Sequence, residues 1–138
     1  MAYNVLIVDD SKVVRAVVAK TLRLANVDLG VVLEASDGRE ALTLLEREWV
    51  DLVFADINMP IMTGVELVNE MSSRGMLESI PVVIISTERG VTRIEELKAK
   101  GVSAYLSRPF TPANIKQVME DILGQPPGSA HTTSARRP

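Results

Sequence analysis

The stretch Val5-Leu6-Ile7-Val8-Asp9-Asp10 decides the fold of this chain: four apolar residues, three of them β-branched, stop at two adjacent carboxylates. So short an apolar run, without polar alternation, suits a strand buried on both faces of a parallel sheet. The same pattern returns downstream. Leu52-Val53-Phe54-Ala55 ends at Asp56, Val82-Val83-Ile84-Ile85 ends at Ser86, and Tyr105-Leu106-Ser107 is followed by Arg108. Residues at equivalent strand ends line one edge of an open parallel sheet, the edge at which ligands bind. One such residue is noise, whereas Asp9, Asp10, Asp56, Ser86 and Arg108 together describe a site.

Working outward, strand-like runs at 4–9, 30–35, 51–55, 81–86 and 103–107 alternate with helical patterns. Residues 12–25 place Val14, Val17, Val18, Thr21, Leu22 and Ala25 on one face. Residues 38–48 group Ala41, Leu42, Leu45 and Trp49, with Ser36 or Asp37 available as N-cap. Residues 64–74 group Val65, Leu67, Val68 and Met71. Residues 91–100, with Val91, Ile94, Leu97 and Lys98, form a weaker helix stopped by Gly101. Residues 112–123 open with Thr111-Pro112, a cap followed by proline at the first helical position, and turn Ile115, Val118, Met119 and Ile122 inward. Five strand–helix units with right-handed crossovers predict an α/β doubly wound, flavodoxin-like parallel sheet of five strands, order 2-1-3-4-5, with helices on both faces.

The chain has 138 residues, about one domain's worth. That domain is expected over 1–123. Beyond Leu123 the composition changes to Gly124-Gln125-Pro126-Pro127-Gly128-Ser129 and a Ser/Thr/Arg-rich end, so 124–138 reads as a flexible tail or linker. The chain has no cysteine, which excludes disulfides and thiolate chemistry, and its only histidine, His131, falls in that tail. A net charge of −3 gives no basic footprint for nucleic acid. Val5–Val8 is too short for a leader's apolar core, and no apolar stretch approaches the ~20 residues that span a bilayer. The chain reads as cytoplasmic, with neither membrane nor nucleic acid as partner.

Three carboxylates brought close together repel and raise one another's pKa unless a cation joins them. All-oxygen donors favour a hard ion, Mg²⁺ or Mn²⁺, over zinc or copper. Magnesium keeps several waters and so leaves room for a phosphate oxygen. A carboxylate beside such an ion can act as nucleophile and form an aspartyl phosphate. Asp56 is the natural candidate, with Arg108 offering further charge neutralisation and Ser86 a hydroxyl donor. Taken singly, Asp9 or Asp10 is ordinarily an N-cap, Ser86 a turn residue and Arg108 a solvated loop cation. Their joint occurrence, in order along five strand–helix units, argues against coincidence.

These residues give the chain a strong resemblance to the receiver domain of bacterial two-component response regulators, in particular the single-domain CheY-like kind. The resemblance rests on Leu6-Ile7-Val8-Asp9-Asp10-Ser11, Asp56-Ile57-Asn58-Met59-Pro60 with Gly64, Pro81-Val82-Val83-Ile84-Ile85-Ser86 and Arg108-Pro109-Phe110, and covers about residues 3–123. It implies that Asp56 is the phosphoacceptor, and that Asp9, Asp10, Asp56 and the Asn58 backbone carbonyl hold the metal. Ser86 and Tyr105 would be the switch pair, and Asn58 and Glu88 the positions that tune phosphoryl lifetime. A histidine kinase or histidine phosphotransfer protein would be the donor. A protein target would read the face formed by the fourth helix, fifth strand and fifth helix. The resemblance also implies a cis Arg108–Pro109 bond. One departure stands out: the family nearly always has lysine where this chain has Arg108, and a planar guanidinium is not equivalent to an ammonium.

That departure keeps a second reading open, a pseudo-receiver that docks partners without phosphate. A phosphatase of the haloacid dehalogenase type needs a general acid two residues after its nucleophile, where Asn58 cannot serve. A flavin carrier is disfavoured because Asp9 and Asp10 would repel the anion bound after its first strand. Trp49 is expected to lie away from Asp56.

Overall fold

The computed structural model describes residues 2–86 and 91–123, apart from the side chains of 91–93. The elements run β1 (Tyr3–Val8), α1 (Lys12–Leu24), β2 (Leu29–Ala35), α2 (Gly38–Arg47), β3 (Leu52–Ala55), α3 (Gly64–Ser73), β4 (Val82–Ser86), α4 (Val91–Lys100), β5 (Ala104–Ser107) and α5 (Pro112–Ile122). A single 3₁₀ turn, Met76–Glu78, follows α3; the sequence reading had no element there. The strands form one parallel sheet in the order β2-β1-β3-β4-β5, as expected from the switch point beside the first strand.

Because side chains alternate across a strand, each strand feeds two cores. Leu6, Val8, Val53, Ala55, Val82 and Ile84 face the layer built by α2, α3 and α4. Val5, Ile7, Leu52, Phe54, Val83, Ile85 and Leu106 face α1 and α5. β3 and β4 are buried along their whole length and β1 from Val5 onward, which is why these stretches read as unbroken apolar runs.

The edges differ from that expectation. β2 leaves Gly30, Val31 and Glu34 exposed, since one side of the strand has no partner, and β5 is only partly buried. On α1, Val17 is 52% exposed and Ala19 takes the inward place, because the sheet covers a stripe narrower than the sequence pattern suggests. Trp49 lies beyond the end of α2 and is 42% exposed. Its indole N–H donates to Asp51 Oδ1 at 3.1 Å, beside the start of β3, so it sits at the opposite end of the sheet from Asp56.

Caps fix the helix starts. Ser11 caps α1, Asp37 rather than Ser36 caps α2, and Thr63 and Thr111 form reciprocal capping boxes with Glu66 and Asn114. Gly101, at φ +115°, ends α4 as expected. Residues 124–138 and Glu88 lie outside the described residues.

Candidate functional site

The sheet register builds the site. Val8 pairs with Ala55, and Ala55 with Ile84, so the residues after β1 and β3 emerge level with one another. The ladder then runs one bond past the strands. Asp9 N–H donates to Ala35 O (3.0 Å), Asp56 N–H to Val8 O (3.0 Å), and Arg108 N–H to Ser86 O (3.1 Å). The functional residues are therefore held by backbone at their roots while their side chains project from the rim.

Asp9, Asp10 and Asp56 each bring a carboxylate oxygen within 4.8 Å of the others. The simple capping role is not theirs, because the Ser11 hydroxyl accepts the Val14 N–H at 3.2 Å. Asp9 Oδ1 instead accepts the Ser11 N–H at 2.8 Å, and Asp56 Oδ1 accepts the Ile57 N–H at 2.8 Å. Asp9 and Asp56 are buried and Asp10 is exposed. Burial pushes the Asp9 carboxyl above its usual range, and the negative charges of Asp56 and Asp10 push the same way, against the Ser11 bond and Arg108. Such under-compensated oxygen donors fit a hard divalent cation, so this cluster could hold Mg²⁺ or Mn²⁺.

Arg108 follows β5, with Nη2 3.7 Å from Asp56 Oδ1. Its Nε is buried and has no hydrogen-bond partner among the described residues. The Arg108–Pro109 peptide is cis, as the resemblance implied. Ser86, the last residue of β4, is buried, and its carbonyl also accepts the Tyr105 hydroxyl at 3.2 Å. Tyr105 is half-buried on β5. Asn58 is exposed between buried Ile57 and Met59, an in–out–in order that sets its peptide at the rim.

Two supporting residues escaped the sequence reading. Arg15 donates from Nη1 to the Asp9 carbonyl (2.6 Å) and from Nε to Glu34 (2.8 Å), tying α1 to the ends of β1 and β2. A basic residue one turn beyond the Ser11 cap was the available signal. Met62 accepts the Gly38 N–H through its carbonyl (3.1 Å) and anchors the loop after β3 to α2. Gly64 was noticed only as a loop former, yet its place is dictated by contact. A Cβ there would lie 2.9 Å from Ile57 Cα and closer still to the Asp56 carbonyl oxygen.

Clustered carboxylates faced by a cation, at the carboxyl edge of a 2-1-3-4-5 sheet, point to a class: signalling receivers. Comparison with known proteins agrees. Residues 5–120 match the response regulator receiver domain family. A chemotaxis protein CheY homolog of Campylobacter jejuni is 39% identical over 123 residues, covering 88% of this chain and 92% of that one. Chemotaxis protein CheY1 of Helicobacter pylori is 37% identical over 123 residues, covering 88% and 97%. The crystal structure of Vibrio cholerae CheY4 superposes with a TM-score of 0.78 at 33% identity, covering 89% and 100%. The chain belongs to the response regulator receiver family and is CheY-like, a signalling domain of two-component systems rather than an enzyme in the ordinary sense. Among the described residues, no helix is long and apolar enough to cross a membrane.

Proposed function

We propose that residues 1–123 act as a phosphorylation-dependent switch that accepts a phosphoryl group on Asp56, in the cytoplasm, with Mg²⁺ as cofactor. The observation that carries this reading is the convergence of three carboxylates with Arg108 at one rim. An Asp56 oxygen attacks the phosphorus of a phosphohistidine on a kinase or phosphotransfer protein. The P–N bond breaks, the imidazole leaves with its electron pair, and a mixed carboxylic–phosphoric anhydride forms. Asp9, Asp10, Asp56 and the Asn58 carbonyl would hold the metal, which when bound neutralises charge on the phosphoryl oxygens. Arg108 supplies the second cation, and Asn58 and Glu88 tune how long the anhydride survives. Val13 and Val17, both exposed one turn apart on α1 near Asp10, offer apolar contact to the donor.

The new dianion attracts the Ser86 hydroxyl, and Tyr105, now bonded to the Ser86 carbonyl, re-seats inward. The face made by α4, β5 and α5 changes its affinity for a protein target to the extent that phosphate favours one state over the other. The test is incubation with Mg²⁺ and a small acyl phosphate. The native chain gains a phosphoryl group and the Asp56→Asn variant does not; an unreactive native chain, beside a reactive control receiver, overturns the proposal. Arg108 favours one rival, a pseudo-receiver, because its charge already faces Asp56 without phosphate. Unchanged partner binding by Asp56→Asn would select that rival.

A further inference from the structure

We propose that Arg108 is a two-pronged clamp for a tetrahedral oxyanion on Asp56, with Nε and Nη2 as the donors. This rests on Asp56 being the phosphoacceptor and names how the bound group is held.

A buried N–H without an acceptor is costly, and native structures hold few of them. Among the described residues the Arg108 Nε is one, although the side chain as a whole remains partly exposed. A plain ion pair would not leave it so. In that case the fork would close on Asp56, yet Nη2 stops 3.7 Å short of Oδ1, beyond hydrogen-bonding reach. The guanidinium is therefore held beside the carboxylate without being satisfied by it. Nε and Nη2 lie on one edge of a planar group, a spacing that matches two oxygens of a phosphoryl group. The Asp56 carboxylate projects from the same rim, where a phosphoryl group attached to it would meet that edge. Lysine carries a single nitrogen at its tip and has no donor at the Nε position, so the clamp belongs to arginine alone.

The experiment uses the full chain with beryllofluoride and Mg²⁺, the beryllium centre forming a tetrahedral phosphoryl mimic on the carboxylate. The ¹H–¹⁵N signals of the Ile57 amide and of Arg108 Nε are followed together. Binding at Asp56 moves the Ile57 signal, because that N–H bonds the carboxylate. The clamp predicts that the Arg108 Nε–H shifts and becomes protected from exchange with water in the same titration. It also predicts that Arg108→Lys binds the mimic about tenfold more weakly, one charge-assisted bond being lost. Movement at Ile57 with an unaltered Arg108 Nε signal, or undiminished affinity in Arg108→Lys, overturns the clamp. A silent Ile57 signal overturns the phosphoacceptor reading itself, and the clamp with it.

Discussion

Gly64→Ala tests how tightly the fold positions Asp56. The added Cβ would lie 2.9 Å from Ile57 Cα against the 3.4 Å where ordinary contact begins, a deficit of about 0.5 Å. The opposing atoms are backbone, so no side chain can swing away. Asp56 N–H is committed to Val8 O, and Gly64 N–H to Ile57 O at 2.8 Å. On the other side α3 is pinned by the Thr63–Glu66 capping box and by fully buried Leu67, Val68 and Met71. Overpacking of this kind costs about 1–3 kcal/mol. For a domain of this size that lowers Tm by roughly 3–10 °C. A displacement of about half an ångström also reaches the tolerance of a reacting group, so phosphorylation by a small acyl phosphate should slow by roughly tenfold. Gly75→Ala is the control: at φ +74° it carries left-handed strain, but nothing lies within 4 Å of its added Cβ. It should cost about 1 kcal/mol and leave phosphorylation unchanged. Thermal unfolding and phosphorylation kinetics read both variants. If Gly64→Ala melts no lower than Gly75→Ala and reacts at the native rate, the close approach is not what places Asp56.

Two further predictions concern charge and reporting. Burial raises the Asp9 pKa in the folded state, so ionised Asp9 destabilises the metal-free fold; the penalty is absent below the ordinary carboxylate range and complete above the folded pKa. Asp9→Asn, which can still accept the Ser11 N–H, should therefore raise Tm at neutral pH in chelator, with the gain fading as pH falls toward about 4. Added Mg²⁺ should stabilise the native chain more than this variant; equal stabilisation would show that Asp9 is no ligand. Trp49 emission should change little with Mg²⁺ or beryllofluoride and strongly on unfolding, because the indole is bonded to Asp51 at the far end of the sheet. Strong quenching by the metal would contradict that placement.

The sheet order and nearly all the elements were legible because the central strands are continuous apolar runs, too short for helices, each broken by a charged or hydroxyl residue. The edge strands were less so. Val31 belongs to an apolar run like Val53, yet it lies on the edge strand where the pairing with β1 shifts register, and it is exposed. The rim residues were legible by position, since register turns equal places after strands into closeness in space. What could not be read was the direction of individual donors. Arg15 looked like any surface cation of α1, yet it reaches back to the Asp9 carbonyl. Ser11 looked like a neighbour of the acidic pair, and it proved to relieve that pair of capping.

The ladder bonds that run past β1, β3 and β5 separate two kinds of constraint. Main chain at the rim is fixed by adjoining strands, whereas the acidic and cationic groups there contribute little to either apolar layer. Exchanges among those groups can thus alter the chemistry of the rim without jeopardising folding. Such a scaffold gives evolution unusual latitude: signalling behaviour can drift while the architecture stays put.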